Sequence, residues 1–124
     1  QRLSRGLGDV YKRQVPTYLV NTGWVGANAQ SGAKRISLPI TRKIIYAILD
    51  GTINDTDFET DPYFGVEIPT SLDDLGPETL LSSRAWSSEK EYKKVAEGLV
   101  KKFQDNFKKF NIDDDKILNA GPKL

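Results

Sequence analysis

Two side chains that enzymes often use for chemistry, those of histidine and cysteine, are missing from this sequence. Its 124 residues contain no histidine and no cysteine. Histidine is the commonest general base and metal ligand near neutral pH, and cysteine thiolates serve as nucleophiles, zinc ligands and disulfide partners. This chain therefore cannot by itself assemble a Ser-His-Asp triad, a Cys-His nucleophile or a complete zinc hydrolase site. The sequence also lacks the phosphate-cradling pattern Gly-x-x-x-x-Gly-Lys-Ser/Thr.

Cations, hydroxyls and carboxylates are the polar groups that remain. The segment Lys34–Thr41 (KRISLPIT) concentrates several of them. Considered from the residues alone, Arg35 is a surface charge, Ile36 is an apolar loop anchor and Thr41 is a helix cap. The acidic run Asp113–Asp115 raises the question of a cation site, but a bare triplet of this kind is typical of a solvated surface. We therefore assign it no metal.

Composition and charge limit the class of protein. A length of 124 residues suits one domain, and 38% hydrophobic with 28% charged residues is ordinary for a globular protein. The longest strongly apolar run, Ile44–Leu49, is too short to span a membrane. Residues 1–14 hold four basic residues and one acidic residue, so residues 15–124 have 14 basic and 16 acidic residues. This mildly acidic body gives no reason to expect binding to nucleic acid.

The first fourteen residues differ from the rest of the chain. Gln1–Gln14 (QRLSRGLGDVYKRQ) has no clear amphipathic period and does not begin with Met. It resembles translated sequencing-adapter DNA, most clearly in Gly8–Gln14 (GDVYKRQ). A transit peptide is the alternative, since the segment is rich in Arg, but it has one Ser, one Asp and no convincing apolar face. We predict a foreign scar at 1–14, and native sequence from 15 to 124 that begins within a longer protein.

The first half of the native part predicts one strand and one helix. Val15–Val20 (VPTYLV) is β-branched and aromatic and leads into a turn, which is typical of a strand. The small, polar stretch Gly26–Gly32 (GANAQSG) predicts a loop. A short helix is expected at Thr41–Asp50, because Ile44, Ile45, Ile48 and Leu49 share one face and Gly51 follows as a stop signal.

The second half predicts a long connection and then a long helix. Residues 52–86 lack periodicity apart from a short strand-like piece at Phe64–Ile68, which is unusual inside a free-standing domain. From Ser88 to about Phe110, a capping box is followed by apolar residues at helical steps and by Lys pairs on the opposite face. The apolar positions of this helix are Tyr92, Val95, Ala96, Leu99, Phe103, Phe107 and Phe110. Few other residues could cover them, so we infer a missing partner domain.

Four short sequence motifs then suggest a family. Tyr18–Trp24 (YLVNTGW), Lys34–Ile45 (KRISLPITRKII), Phe64–Thr70 (FGVEIPT) and Ala120–Leu124 (AGPKL) occur in this order. In order and spacing they resemble the ATP-using phosphoenolpyruvate carboxykinase family across essentially all of 15–124. The resemblance implies an α/β fold, here a mixed α+β fragment from the C-terminal part of the nucleotide-binding domain, with one strand, two main helices and long loops.

The sequence departs from the family pattern at two places. Ala33 stands where the family usually has Gly, which would strain the loop if that position needs a positive φ. The run Leu81–Trp86 (LSSRAW) is one residue shorter than the family spacing, so we assign no role to Arg84.

The resemblance also implies a function. Such enzymes are kinases and decarboxylating lyases that convert oxaloacetate and ATP to phosphoenolpyruvate, ADP and carbon dioxide in gluconeogenesis. It places Arg35, Ile36 and Thr41 at the base-and-ribose end of ATP. It assigns the phosphate loop and the ligands of Mg²⁺ or Mn²⁺ to upstream sequence, so this chain alone is expected to be inactive. The implied partners are small-molecule substrates and the missing N-terminal part of the same protein, in the cytoplasm.

Two interpretations from other classes remain open. The chain could be a stand-alone interaction module whose long helix docks on a partner, which would explain an apolar helix face without catalysis. It could also be a small adenine-nucleotide-binding regulator without turnover. Saturable ATP binding by residues 15–124 alone would favour the regulator.

Overall fold

The structure, a computed structural model, describes residues 15–124. The predicted scar at 1–14 lies outside the described residues. Within residues 15–124 the chain forms five α-helices and two antiparallel sheets of two strands each, which confirms the mixed α/β class. In chain order the elements are β1 (Trp24–Val25), β2 (Lys34–Arg35), α1 (Leu38–Asp50), β3 (Phe58–Thr60), β4 (Glu67–Pro69), α2 (Pro77–Leu80), α3 (Ser82–Ala85), α4 (Glu89–Phe107) and α5 (Asp115–Ala120).

The first sheet is a short hairpin rather than the predicted strand. Trp24 of β1 lies opposite Arg35 of β2, and the loop between the strands contains a 3-10 turn at Ala29–Ser31. Residues 15–20, predicted as a strand, have no regular secondary structure. A strand needs a neighbour to pair with its N–H and C=O groups, and in the described part of the chain β1 and β2 pair only with each other.

Two loop glycines take the left-handed conformation that the hairpin requires. Gly26 has φ +84°, and a Cβ there would lie 3.0 Å from the carbonyl oxygen of Ala85 at the end of α3. Gly32, at the end of the 3-10 turn, has φ +81°. Ala33 does not share this conformation, because the non-glycine residues with positive φ in the range 15–124 are Asp73 and Asn111. The strain considered for Ala33 is therefore absent.

Helix α1 begins three residues earlier than predicted, and its buried face contains Ile44 and Ile48 as predicted but not Ile45 or Leu49. Ser37 precedes its first turn, Pro39 lies within that turn, and Gly51 ends the helix with φ +83°. Leu49, predicted to face the core, is 75% exposed. The helix instead packs residues at steps of three and four onto the following segment. This cluster consists of Ile40, Ile44, Ala47 and Ile48 from α1, with Ile53, Leu72, Leu75 and Leu80.

The predicted unstructured connection contains several short elements. A 3-10 turn spans Thr52–Asp55, and β3 and β4 pair so that Glu59 lies opposite Ile68. The strand-like piece expected at Phe64–Ile68 overlaps β4 without coinciding with it. Arg84 on α3 donates to the Glu59 carboxylate at 3.0 Å. This contact fastens the short helices to the second hairpin.

Helix α4 confirms the long helix predicted from the sequence. The Ser88 hydroxyl oxygen accepts a hydrogen bond from the Glu91 N–H at 3.3 Å, as the capping pattern indicates. The most deeply buried side chain in the described part is Val100, which the apolar pattern omitted. Aromatic edge contacts join α4 to the β3–β4 loop, with ring centroids of Phe64 and Phe103 5.7 Å apart.

The chain ends in a short helix that the sequence did not predict. Asp114 caps α5, because its carboxylate accepts a hydrogen bond from the Lys116 N–H at 2.9 Å. The tail after α5 is fixed at two points: Gln104 donates to the Pro122 carbonyl at 2.9 Å, and the Lys123 N–H donates to the Tyr63 carbonyl at 2.8 Å. No helix between residues 15 and 124 combines the length and apolar character needed to cross a membrane.

Candidate nucleotide site

Arg35 is held at the end of the first hairpin by two contacts with uncharged groups. Its Nε–H donates to the Thr22 carbonyl at 3.3 Å. Its guanidinium carbon lies 5.6 Å from the centroid of the Trp24 ring, within the range of cation–π attraction. Arg35 itself remains exposed, and it takes part in none of the ion pairs found in residues 15–124. Its positive charge is therefore available to a ligand.

The turn before β1 sets the position of this cation. The Asn21 side-chain oxygen accepts from the Gly23 N–H at 2.9 Å, and the Asn21 amide donates to the Trp24 carbonyl at 3.2 Å. Asn is favoured in such turns because its side chain can bond to the backbone two or three residues on. The Ile36 N–H donates to the Gly23 carbonyl at 2.7 Å and extends the hairpin by one residue. The sequence Asn-Thr-Gly-Trp thus shapes the turn and the strand that lie opposite Arg35.

Ile36 and Thr41 lie on the connection into α1 and in its first turns. Ile36 follows β2 directly and is half-buried, so it presents some apolar surface next to Arg35. Thr41 is also half-buried, and its N–H donates to the Ser37 carbonyl at 3.1 Å. Ser37, not Thr41, is the residue at the N-cap position, which corrects the interpretation of Thr41 as a cap. Arg35 and Ile36 are thus neighbours at the hairpin end, and Thr41 follows inside the helix.

Lys43, one of two cations near the start of α1, is paired within the chain. Its ammonium group donates to the Asp74 carboxylate in the turn between Leu72 and Leu75. This hydrogen bond raises the pKa of Lys43 above its usual 10.5 and lowers the pKa of Asp74 below its usual 3.8. The pair links α1 to the turn that covers its core face. The pair also gives the Lys43 charge a partner within the chain, so this charge does not indicate a bound anion.

The Lys43–Asp74 pair gives stability a specific dependence on pH. Because the folded-state pKa of Asp74 is lowered, its contribution is present above about pH 4 and is lost as pH falls through the folded pKa. Because the pKa of Lys43 is raised, its contribution is lost only as pH rises beyond its folded pKa, above 10.5. Asp74→Asn should lower the urea midpoint of unfolding slightly near pH 7, and this difference should vanish towards pH 2.

Asp73→Asn is the matched control for this pair, because it removes the same charge one residue away without removing a hydrogen bond to Lys43. Near pH 7 its effect on the urea midpoint should be smaller than that of Asp74→Asn, because Lys43 donates to Asp74. Equal effects of the two substitutions would show that general charge, not the pair, sets the dependence.

The position of Trp24 beside Arg35 was not predicted from the sequence. Trp24 is 48% exposed and lies against the Arg35 guanidinium. The signal that could have found it is the hairpin register, since directly opposite residues on two antiparallel strands have neighbouring side chains. That register depends on where the strands begin, and the predicted strand was placed too early in the chain.

The arrangement suits a flat, aromatic ligand better than a metal ion. A guanidinium stacks on aromatic rings, an apolar side chain can cover a ring edge, and a threonine hydroxyl can donate and accept. A hard cation needs several oxygen ligands around one point. Over residues 15–124, no group of three or more His, Cys, Asp or Glu side chains is placed to hold a metal ion.

Comparison with known proteins identifies similar sequences. A profile of the family described as phosphoenolpyruvate carboxykinase matches residues 4–78 of this chain. The match contains Arg35, Ile36 and Thr41. It also begins inside residues 1–14, whose origin stays a prediction.

Several relatives share the name phosphoenolpyruvate carboxykinase (ATP). The protein of Azorhizobium caulinodans is 41% identical over 116 residues, covering 93% of this chain and 21% of the relative. That of Sulfurimonas denitrificans is 38% identical over 121 residues, covering 95% and 23%. That of Staphylococcus haemolyticus is 40% identical over 117 residues, covering 93% and 22%. The chain thus spans about a fifth of the length of these relatives.

Proposed function

This chain belongs to the phosphoenolpyruvate carboxykinase family, and we propose that it supplies the adenine and ribose side of the ATP site in an ATP-dependent member. The parent protein would convert oxaloacetate and ATP to phosphoenolpyruvate, ADP and carbon dioxide, as an entry step of gluconeogenesis. The observation that carries this proposal is the exposed Arg35 guanidinium, held by a carbonyl and an aromatic ring with no carboxylate paired to it in residues 15–124.

Each of the three residues has a distinct proposed role. Arg35 stacks its guanidinium on the adenine ring, where dispersion and cation–π attraction favour a flat aromatic base. Ile36 supplies an apolar wall beside the base. Thr41 offers a hydroxyl that can donate to or accept from the base or ribose. These contacts hold the end of ATP that does not react, and binding energy from such remote groups positions the reacting phosphate.

The remaining chemistry is proposed to lie in the rest of the parent protein. Decarboxylation of oxaloacetate leaves an enolate, and the enolate oxygen takes the γ-phosphoryl group while ADP leaves. Nothing in residues 15–124 offers a metal site, and the whole sequence has no phosphate-loop pattern. We therefore place the Mg²⁺ or Mn²⁺ ligands and the phosphate contacts in the four-fifths of the relatives' length that this chain does not span.

The isolated chain provides the first test of whether the phosphate and metal contacts lie in the rest of the parent protein. We expect no formation of phosphoenolpyruvate from oxaloacetate and ATP by the 124-residue chain, and no saturable ATP binding at physiological nucleotide concentration. The reason is that charged phosphate contacts supply much of nucleotide affinity, and this chain lacks a phosphate loop. A coupled assay and equilibrium dialysis with ATP measure both quantities, with the full-length parent protein as the positive control.

Saturable ATP binding without turnover by the isolated chain would support the second candidate, a nucleotide-binding regulator. A third candidate, an interaction module, is favoured by one observation: Val95, Leu99 and Phe103 on α4 are 40%, 42% and 51% exposed. In a carboxykinase the same surface would pack against the missing N-terminal part of the protein. The interaction-module and carboxykinase hypotheses both require a partner for α4. Formation of phosphoenolpyruvate by the full-length parent protein would favour the carboxykinase hypothesis.

Two further proposals concern the whole protein. We keep the proposal that residues 1–14 are a foreign scar and that 15–124 is the C-terminal portion of the ATP-binding domain. Genomic DNA across the codon for Val15 tests it. An open frame is expected to continue upstream with another sequence in place of residues 1–14, and to encode a phosphate loop and metal ligands. We also propose a cytoplasmic location and no nucleic-acid partner, in keeping with the acidic balance of residues 15–124.

A further inference from the structure

We propose that Trp24 is a positioning residue for nucleotide binding, which holds the Arg35 guanidinium so that it can receive the adenine base. This inference rests on the proposed function of Arg35 and adds a residue that acts through it. Trp24 and Arg35 are directly opposite each other in the first hairpin, and the guanidinium carbon is 5.6 Å from the ring centroid.

The cross-strand placement gives Trp24 control over the Arg35 side chain. An arginine has four rotatable side-chain bonds, and ordering it for ligand binding costs conformational entropy. The Trp24 ring and the Thr22 carbonyl hold the guanidinium at two points, at 5.6 Å and 3.3 Å. Part of the entropy cost is then met before the ligand arrives, so binding is tighter than with a freely moving arginine.

The chemical character of the two contacts leaves the charge usable. A carboxylate beside Arg35 would neutralise the guanidinium and compete with a ligand for its N–H donors. The carboxylates found in ion pairs across residues 15–124 belong to other cations, such as Asp74 with Lys43 and Glu59 with Arg84. An indole ring and a backbone carbonyl instead hold the cation without cancelling its charge. Adenine on the outer side of Arg35 would complete a stack of base, guanidinium and indole.

The turn geometry explains why the contact is built into the fold. Asn21 bonds to the backbone of the two residues that follow Thr22, through the Gly23 N–H and the Trp24 carbonyl. The same turn therefore presents the Thr22 carbonyl to Arg35 and begins β1 at Trp24.

A double-mutant cycle in the full-length protein tests the proposal. Trp24→Leu should raise the dissociation constant for ATP by about three- to fivefold, from loss of the cation–π contact. In an Arg35→Ala background, Trp24→Leu should have no further effect on ATP affinity, because the guanidinium that Trp24 holds is absent. Trp24→Phe keeps an aromatic face and should restore most of the affinity. The KM for ATP should rise while kcat and the KM for oxaloacetate stay within about twofold.

Two outcomes overturn the inference and differ from failure of the proposed function. If Trp24→Leu weakens ATP binding equally with and without Arg35, Trp24 acts by another route, and only this inference fails. If Arg35→Ala leaves ATP affinity unchanged, the proposed nucleotide site fails as well. Thermal midpoints identify a variant that does not fold, and Trp24→Phe in both backgrounds then completes the same cycle with a milder change.

Discussion

We expect Arg35→Ala to weaken ATP binding to the full-length protein by about tenfold and to leave oxaloacetate binding almost unchanged. The expected size follows from loss of a stacked guanidinium, since cation–π and stacking attraction at a partly desolvated site corresponds to a change of about three- to thirtyfold. The effect is confined to nucleotide because the proposed contact is with the base. Titration calorimetry with ATP measures the dissociation constant, and steady-state kinetics gives the KM for each substrate.

The neighbouring cation provides a matched control. Lys34→Ala removes the same unit of charge one residue away, on a strand residue that lies opposite Val25 instead of an aromatic ring. It should change ATP affinity by less than about twofold, since an exposed charge is screened by salt. Arg35→Lys should fall between these variants, because an ammonium keeps the charge and loses the planar stacking surface. Equal effects of Lys34→Ala and Arg35→Ala would remove Arg35 from the site.

The sequence predicted local elements better than the way they pair. The start of α4 could be predicted because its signals are local, with the Ser88 side chain bonding to a backbone group three residues on. The first hairpin could not, because each strand has only two residues and its register depends on a contact across the loop. That single register determines the contact between Trp24 and Arg35, so this contact could not be predicted from local signals.

Helix faces show the same limit in another form. In α1, the run from Ile44 to Leu49 is apolar nearly all round, so its period does not say which side faces the core. The choice is made by Leu72 and Leu75, which approach from a distant turn and bury Ala47. In α4, the apolar pattern predicted the helix but did not include Val100. The apolar residues of α4 cover a wider surface than residues 15–124 bury, so the pattern alone does not show which of them are buried. The surplus apolar surface is the observation that the fold of 15–124 does not explain by itself.

The excess apolar surface of α4 predicts that the effect of a charge at Leu99 on stability differs between the isolated chain and the full-length protein. Val100 is fully buried, so Val100→Asp should unfold the isolated chain, because burying an unpaired carboxylate costs on the order of 3 kcal/mol or more. Leu99 is 42% exposed, and Leu99→Asp should change the midpoint of unfolding little in the isolated chain. In the full-length protein, Leu99→Asp should become strongly destabilising if the rest of the protein covers this face. Circular dichroism at 222 nm during urea unfolding measures each midpoint.

Gly98 supplies the control for the added charge. Gly98→Asp places the same carboxylate one residue earlier on α4, at an exposed position where a Cβ meets no atom within 4 Å. It should be neutral or slightly stabilising in the isolated chain, since glycine is a poor helix former. A Leu99→Asp variant that is as stable as Gly98→Asp in both proteins would contradict a covered α4 face. The interaction-module reading instead requires that face to stay open until a separate partner binds, so a large effect within the full-length protein favours the carboxykinase reading.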